Sequence, residues 1–419
     1  MPINDLKNFT KGRRIKILFS WLYKKIIHSF SRIFNSIWAI PVVFFFRFLS
    51  PWYHIKIGKI KSHRIGHFIA DTLYQIIVKN SSNKHSLNLW AVGPLSNLYW
   101  FQLIKKDLHI NKSFEHLYYW NLLIPGRSIN YIDTLKNSRD LEGVFTKYPT
   151  KIKFNEQENN FGINWLKSFG WTQGEKFICL LSRDSKYLKF NSNIFAMNSL
   201  QTNFYEYHSY RNSDINTFNK SINKLIEKGY WVIRMGRDAE HKLNLSNTKF
   251  IDYPFEDSQS DFLDIWLFSN CDGCISTGTG IDYLSWAQGI PSLVVNYIPI
   301  KYALTFFNTI TVPKKLYWEK NLKELTLQEY FDNSFFTTNE YKLKGIDIKD
   351  LSEDELLQAV IEFIDYLDGK VNNDEKVKQL KFIEKLKMQS DYAEIHGFIN
   401  NKFKIGDFWL SNKKDIFFE

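Results

Sequence analysis

The pattern of apolar and polar residues divides the second half of the chain into short apolar runs separated by helical segments. The runs predict strands at residues 176–181, 230–235, 249–252, 273–275 and 289–295. Between the first two strands, Asp214 is a suitable N-cap for a helix whose apolar residues recur with a period of 3.6. Strands that alternate with helices in this way predict a parallel sheet of Rossmann type.

The first half of the chain shows a shorter alternation of the same kind. Strands are predicted at His54–Ile60 and Ser86–Val92, each followed by a helical stretch. A polar stretch at 156–174, which contains several Gly and Asn residues, is predicted to connect the two halves. The chain is therefore expected to be an α/β protein with two Rossmann-like domains. The predicted divisions are 1–50, 51–165, 166–350 and a helical tail at 351–419.

Residues 1–50 differ from both halves. From Phe19 to Ile37 apolar residues recur every three or four positions, and basic residues, among them Lys25 and Arg32, lie on the opposite side of the predicted helix. Such a helix is typical of a membrane interface with anionic headgroups. The apolar stretch is interrupted by Pro41, so a monotopic or re-entrant insertion is favoured over a crossing. The alternative is an amphipathic helix packed on its own domain.

Charge and cysteine content narrow the function classes. The formal net charge is +11, and residues 1–50 contribute +8 of it. The rest of the chain is nearly neutral, which argues against a nucleic-acid-binding surface. The three cysteines do not form a disulfide framework and indicate a reducing compartment. Cys271 and Cys274 have the spacing of half a zinc site, but no second pair follows, so two core residues are favoured and no metal is expected.

The most informative segment follows the fourth predicted strand of the second half. It consists of Ser276, Thr277, Gly278, Thr279 and Gly280, with Asp282 two residues further on. The glycines can adopt positive φ, the threonines offer hydroxyls, and a helix start directs unpaired backbone N–H groups at one point. The segment therefore predicts a phosphate site, with strand termination as the structural alternative. Asp282 is expected either to accept hydrogen bonds from ribose hydroxyls or to cap the following helix, where its negative charge interacts favourably with the helix dipole.

Two arginines are predicted to reach the same place, because ligands of open α/β sheets bind beyond the carboxyl ends of the strands. Arg183 follows the strand at 176–181, and Arg211 precedes the next helix. Either guanidinium can bind a diphosphate through paired hydrogen bonds. For Arg183 the alternative is a surface pair with Asp184. Asp214 is expected to cap the helix rather than to orient Arg211.

Arg64, Gly66 and His67 occupy the corresponding strand-to-helix turn of the first half. His67 is a candidate general base toward an acceptor hydroxyl, because the pKa of a histidine lies near neutral pH. Asp71 lies one helical turn further on and is a candidate to orient His67, whereas Arg64 and Gly66 are assigned to the acceptor side. The alternative for His67 is a hydrogen-bonded structural histidine.

Several runs resemble a family of glycosyltransferases from bacterial surface-polysaccharide and O-antigen gene clusters. They are residues 208–214, 229–236 and 276–280, and the turn at 64–67 is similar to that family's N-terminal motif. The resemblance spans about residues 55–300. Arg211 and Asp214 are also similar to the donor loop of fucosyltransferase-like enzymes, but Ser209 stands where that loop has a histidine, so the donor sugar stays open.

The resemblance implies a GT-B-like arrangement, in which two Rossmann-like domains face a cleft and the C-terminal domain holds a nucleotide-sugar. It implies metal-independent transfer of a sugar, of hexosyl class, to a glycan or lipid-linked acceptor in bacterial surface-polysaccharide biosynthesis. Donor, acceptor and an anionic membrane surface are the expected partners, at the cytoplasmic face of the membrane, and neither a cofactor nor nucleic acid is expected. Two other hypotheses remain: another group transfer on this scaffold, such as polysaccharide pyruvyl transfer, or a non-catalytic scaffold of polysaccharide assembly.

Overall fold

The structure is a computed structural model that describes residues 11–81, 86–134, 137–184, 186, 208–370 and 375–418. The described residues form two compact units, one up to Ser138 and the other from Arg139 onward. Each unit has its own parallel sheet. The chain is therefore a mixed α/β protein, as its sequence pattern predicts.

The first unit contains a parallel sheet in the order β1-β2-β3. Its helices are α1 (Lys11–Leu49), α2 (Ile65–Ser81), α3 (Leu98–Ile104) and α4 (Phe114–Leu123), and its strands are β1 (His54–Ile60), β2 (Ser86–Val92) and β3 (His109–Asn111). Strands β1 and β2 begin and end at the predicted residues. Ile55 and Ile57, two positions apart on β1, are buried in the core of the unit, as side chains on one face of a strand are.

Helix α1 continues through Pro41 and packs on the rest of the first unit with one face. Ala39 and Val43 on this face are fully buried, in a cluster that includes residues of β1 and α4. The Arg47 guanidinium donates to carbonyl oxygens at the C-terminal end of α4, those of Asn121 (3.2 Å) and Ile124 (3.0 Å). A cation is favoured there because the last carbonyls of a helix lack intrahelical partners. None of the described helices is long and apolar enough to cross a membrane.

The second unit is built around a larger sheet. Its helices are α5 (Val144–Lys147), α6 (Glu156–Ser168), α7 (Asn219–Glu227), α8 (Asp261–Asn270), α9 (Tyr283–Ala287), α10 (Leu327–Asp332), α11 (Thr338–Leu343), α12 (Glu353–Leu367), α13 (Lys376–Lys387), α14 (Tyr392–Ile395) and α15 (Asp407–Ser411). Its strands are β4 (Phe177–Leu181), β5 (Trp231–Arg234), β6 (Phe250–Asp252), β7 (Gly273–Ser276), β8 (Ser292–Tyr297), β9 (Thr309–Pro313), β10 (Lys315–Trp318), β11 (Ile346–Lys349) and β12 (Lys404–Ile405).

The strands of the large sheet are parallel, in the order β12-β9-β8-β7-β4-β5-β6, and β10 pairs separately with β11. Every residue of β4, β7 and β9 is buried, which is the pattern of parallel strands covered on both faces. Cys179 and Cys274 are neighbours in this sheet, on β4 and β7. With Cys271 they are free and buried, so the interpretation of Cys271 and Cys274 as core residues is confirmed.

The prediction of a polar connection at 156–174 is wrong. The segment begins with helix α6, which starts at a capping box in which Asn155 and Glu158 each accept the other's backbone N–H at 2.8 Å. Trp165 is buried and donates from Nε1 to Ser258 Oγ at 2.7 Å, so α6 packs on the second unit. Its many polar residues lie on the exposed face and obscure the few apolar positions that pack.

The tail from residue 351 begins with a helix, as predicted, but it is not separate from the second unit. Strand β12 pairs with β9 and extends the large sheet by one strand. Ile405 and Trp409 are buried in the same core as the central strands. The C-terminal segment therefore completes the sheet on which the candidate site lies.

Candidate functional site

All strands of the large sheet run in one direction, so their carboxyl ends lie along the same edge. Arg183 follows β4, the turn at 277–282 follows β7, and Lys314 follows β9. Arg211 closes a short 3-10 turn that begins at Ser209. Hydrogen bonds join these segments to one another, so the edge is one connected structure.

Asp282 organises the turn that follows β7. Its carboxylate is fully buried and accepts hydrogen bonds from the Ser276 hydroxyl (2.7 Å) and from the N–H groups of Thr279 (2.8 Å) and Gly280 (2.7 Å). Burial raises the pKa of Asp282, and these donors oppose the shift because they stabilise the charged form. Gly278 (φ 71°) and Gly280 (φ 135°) supply the positive backbone angles that the turn requires.

This arrangement corrects the expectation of a turn with unpaired backbone N–H groups. The Thr277 N–H donates to the Leu181 carbonyl, and the Gly278 N–H donates to Ser276 Oγ, both at 3.1 Å. Since Thr279 and Gly280 donate to Asp282, the N–H groups of residues 277–280 all have partners within the protein. Asp282 is placed to hold the turn and not to face a ribose. The N–H groups of residues 277–280 are therefore not available to an anion.

Arg211 is half-buried against the turn, as the sequence predicts. Its guanidinium donates to the carbonyl oxygen of Gly278. Asp282 holds the same turn from within, and the charge of Arg211 opposes the rise in the pKa of Asp282 that burial causes. Asp214 does not orient Arg211: its Oδ1 accepts from the Asn216 N–H at 2.9 Å and caps the 3-10 turn Ile215–Phe218.

Arg183 connects β4 to both neighbouring segments through its backbone. Its N–H donates to Thr277 Oγ1 at 3.0 Å, and its carbonyl oxygen accepts from the Ser213 N–H at 2.9 Å. Thr277 is 2% exposed, so its hydroxyl joins β4 to β7 inside the protein. The carboxylate of Asp184 accepts the backbone N–H of Glu240 at 3.1 Å. The segment after β4 is thereby fixed at the edge of the sheet.

Lys314 is a cation of this edge that the sequence analysis missed. It is 2% exposed, and its Nζ donates to Asp350 Oδ1 and to the Asn212 carbonyl oxygen, both at 2.6 Å. Burial lowers the pKa of Lys314, the charge of Asp350 opposes this, and the charges of Arg211 and Arg183 lower the pKa further. Arg183, Arg211 and Lys314 lie on segments that hydrogen bonds join at this edge, and the charges of both arginines reach Lys314; we call these three residues the cationic cluster.

A cavity of about 360 Å³ borders the residues on either side of Arg183 and the residue after Arg211, although no member of the cationic cluster lines it. It is lined by Ser182, Asp184, Asn212, Ser213, Asp214, Ile215, Asn216, Arg234, Glu240, His241 and Asp350. Asn212 and Asp350 connect it to the cluster, because both accept hydrogen bonds from Lys314. The buried Asn212 Oδ1 and Ser213 Oγ have no hydrogen-bond partner among the described residues. Such atoms are expected to bind water or a ligand, since leaving them unpaired is costly.

The charges around this cavity are of two kinds. The cationic cluster can bind an anion through guanidinium and ammonium donors. The carboxylates of Asp184, Asp214, Glu240 and Asp350 can accept hydrogen bonds from hydroxyl and N–H groups of the same ligand. In the part of the chain that the structure describes, no group of three or more His, Cys, Asp or Glu side chains is arranged to hold a metal ion.

The candidate acceptor-side residues lie at the start of α2 in the first unit. Arg64 is exposed, whereas Gly66 and His67 are half-buried. Asp71 is 1% exposed, and its carboxylate has no side-chain hydrogen-bond partner among the described residues. Asp71 therefore does not hydrogen-bond to His67 in this conformation. Burial raises the pKa of Asp71 to about 7, against the opposing charge of Lys61.

Comparison with known proteins finds no matching family model and no matching curated protein. Three solved structures are similar to the chain, each at 11% identity. The ADP-heptose LPS heptosyltransferase II of E. coli has a TM-score of 0.42, with 75% of this chain and 100% of that chain covered. The glycosyl transferase family 9 protein of Veillonella parvula DSM 2008 has a TM-score of 0.44, with 74% and 97% covered. For the wall teichoic acid polymerase TagF the TM-score is 0.24, with 86% and 99% covered. At these scores the similarities carry no argument about activity.

Proposed function

We propose that the protein is a glycosyltransferase that takes a sugar from a nucleotide-sugar donor. One observation carries this proposal: the cationic cluster of Arg183, Arg211 and Lys314 lies beside a cavity at the carboxyl edge of a parallel sheet. Open α/β sheets bind their ligands at this edge. The motif resemblance at residues 208–214 and 276–280 points to the same chemistry.

The donor fits the two kinds of charge around the cavity. Its diphosphate is bound by Arg211 and Arg183, whose planar guanidinium groups match pairs of phosphate oxygens. The positive charge of Lys314 adds to theirs. Its nucleoside lies in the cavity, where carboxylates such as those of Asp184 and Asp214 accept hydrogen bonds from ribose hydroxyls or base N–H groups. A volume of about 360 Å³ is within the range of small-molecule sites.

The proposed reaction breaks the bond between the anomeric carbon of the sugar and the diphosphate oxygen. The same carbon forms a bond to the acceptor hydroxyl oxygen, and the hydroxyl proton passes to a general base. His67 is the candidate for this role because of the motif resemblance at residues 64–67. Negative charge accumulates on the leaving diphosphate, and the cationic cluster stabilises that charge without a metal ion. Asp71 remains a candidate positioning residue for His67, in a conformation that brings the two side chains together.

The proposed setting is bacterial surface-polysaccharide biosynthesis. The acceptor is then a glycan or a lipid-linked glycan at the cytoplasmic face of the membrane, and the transferred group is of hexosyl class. Support comes from the motif resemblance and from the basic, apolar N-terminal segment. A membrane-bound acceptor would account for an enzyme whose first 50 residues contain nine basic side chains and one acidic one.

The test is a turnover assay with a panel of nucleotide-sugars, in which release of the nucleoside diphosphate is measured. We expect one donor to be turned over, with Arg211→Ala reducing kcat/KM by about 100-fold or more because a transition-state charge loses a partner. Lys224→Ala is the matched control, since Lys224 lies on α7, away from the candidate site, and its ammonium pairs with Glu227 at 2.9 Å. Activity should persist in EDTA.

Three results would contradict the proposal. They are turnover of no nucleotide-sugar, an Arg211→Ala variant as active as the wild type, and a strict requirement for a divalent cation. Transfer from phosphoenolpyruvate, with no nucleotide-sugar accepted, would favour the pyruvyl-transfer alternative. Absence of any ligand binding in a folded protein would favour a non-catalytic scaffold.

A further inference from the structure

Helix α1 leaves an apolar surface uncovered on the side opposite to its packing face. The surface, called here the apolar ridge, comprises residues that are 55–73% exposed: Ile33, Phe34, Ile37, Phe44, Phe45 and Phe48. At 100° per residue they fall within an arc of about 120°, centred opposite Ala39. Exposed Tyr23 and Phe30 continue the same face toward the N-terminus. A contiguous exposed apolar surface of this kind marks an interaction site.

The ridge cannot turn into the protein without breaking the contacts that hold α1. Ala39 and Val43 are fully buried in the first unit, and Arg47 is bound to the end of α4. Rotation of α1 by half a turn would expose these residues and separate the Arg47 guanidinium from the α4 carbonyl oxygens. The alternative of a helix packed on its own domain therefore accounts for one face of α1 but leaves the ridge without a partner among the described residues.

We propose that the apolar ridge inserts into the headgroup–acyl boundary of an anionic bilayer, with α1 lying parallel to the membrane plane. Charge complementarity favours a lipid surface over a second protein, because residues 1–50 contain nine Lys and Arg and a single acidic residue. Trp52 is 75% exposed, and the centroid of its ring lies 5.8 Å from that of Phe48. It supplies an amphipathic aromatic side chain at the end of the ridge. No described helix can cross a membrane, which agrees with an in-plane orientation.

This docking surface is independent of the transfer chemistry, since its residues lie outside the candidate donor site. Flotation of the full-length protein with phosphatidylcholine vesicles, with and without phosphatidylglycerol, tests it. We expect binding that depends on phosphatidylglycerol and on low salt. The ridge variant Phe34→Asp, Ile37→Asp, Phe44→Asp should bind at least about tenfold more weakly. The control variant Leu343→Asp, Val377→Asp, Met388→Asp replaces apolar residues of the second unit that are 66–88% exposed, and it should bind as the wild type does.

The orientation can be measured with an environment-sensitive label. Because the native cysteines are buried, a cysteine introduced on the ridge can be labelled selectively. Labels at Ile33→Cys and Phe48→Cys should both report shallow insertion at similar depth, by quenching with brominated lipids. A label at Val377→Cys should report none.

Several outcomes would overturn the proposal. They are absence of vesicle binding, equal binding by the ridge variant, a steep difference in depth between the two ridge labels, and a wild-type dimer that the ridge variant converts to a monomer without any lipid dependence. Nucleoside diphosphate binding by the ridge variant, measured in parallel, shows that it is folded. It also separates failure of the membrane surface from failure of the donor site.

Discussion

The guanidinium of Arg211 donates a hydrogen bond to the carbonyl oxygen of Gly278. This bond joins the loop before α7 to the turn after β7, two segments that are far apart in the sequence. One donor of the guanidinium is held by the protein, and the planar group is thereby oriented while further donors remain for a ligand. Asp282 holds the turn itself from within, through the N–H groups of Thr279 and Gly280.

Gly278→Ala should destabilise the fold more than Gly289→Ala does. Both glycines have positive φ, 71° and 74°. A Cβ at Gly278 would lie 3.1 Å from the Tyr297 ring, which is held at its far end by a hydrogen bond to the Tyr302 carbonyl oxygen (2.8 Å), whereas a Cβ at Gly289 meets no atom within 4 Å. We expect a loss of about 1 kcal/mol at Gly289 and about 2–3 kcal/mol at Gly278 in urea unfolding. Equal losses would mean that the turn can move away from Tyr297.

Asp282→Asn should loosen the turn. An asparagine can accept through its Oδ1 but cannot accept at Nδ2, so one of the three donors to Asp282 loses its partner in a buried site. The expected loss is about 1–3 kcal/mol in the free energy of unfolding. Asp214→Asn is the control, because asparagine is as good an N-cap as aspartate. The control should leave the free energy of unfolding almost unchanged. If Asp282→Asn leaves the free energy of unfolding unchanged, the carboxylate does not hold the turn.

Asp71→Asn should stabilise the protein at pH 8 and have little effect at pH 4. The pKa of Asp71 is raised from 3.8 to about 7, so the folded state favours the protonated carboxyl. Stability is therefore highest below pH 4, where Asp71 is protonated in both the folded and the unfolded state. It falls as the pH rises to about 7, because the unfolded state loses the proton first. Thermal unfolding across this range should show a gain of up to about 4 kcal/mol for the variant at pH 8. If turnover falls while stability rises, Asp71 has a functional role.

Acid should destabilise the second unit through His396. Its ring is 1% exposed, Nε2 donates to the Lys301 carbonyl oxygen (2.7 Å), and Nδ1 accepts from the Thr305 hydroxyl (2.8 Å). Burial lowers the pKa of His396 to about 4, so its stabilising contribution is present above pH 6.5 and is lost as the pH falls toward 4. The free energy of unfolding in urea should therefore fall as the pH is lowered from 6.5 toward 4. His396→Gln should make this dependence on pH weaker. An unchanged slope would assign the acid sensitivity to other groups.

The sequence predicts those parts of the fold that depend on local pattern. Strands β1 and β2 are found at the predicted residues, and Arg211 reaches the turn after β7 because the carboxyl ends of parallel strands share one edge. The same rule would have found Lys314, which directly follows the buried strand β9. Lys314 was missed because a lysine after an apolar run is usually a solvated residue. Its burial depends on Asp350, which follows β11 and is distant in the sequence.

Other features could not be predicted because they depend on tertiary partners. Whether the carboxylate of Asp282 faces a ligand or the turn is decided by backbone angles at Gly278 and Gly280 that the sequence only permits. Helix α6 looks like a linker because most of its residues are polar. Its contacts depend on α8, where the Phe161 ring packs against the ring of Phe262. The amphipathic pattern of α1 shows one apolar face, but it does not show that a second face packs on α4.

The most direct test of the central claim is calorimetric titration of nucleoside diphosphates into the wild type and into Arg211→Ala, with Lys224→Ala as the control. We predict that one nucleoside diphosphate binds the wild type and the control equally and binds Arg211→Ala about 10- to 100-fold more weakly, because a charged hydrogen-bonding partner is lost. The free energy of unfolding of Arg211→Ala should fall by only about 1 kcal/mol, for the lost hydrogen bond to Gly278, so the variant stays folded. Equal affinity for Arg211→Ala, or binding of no nucleoside diphosphate to the folded wild type, would contradict the assignment of the cationic cluster as a diphosphate site.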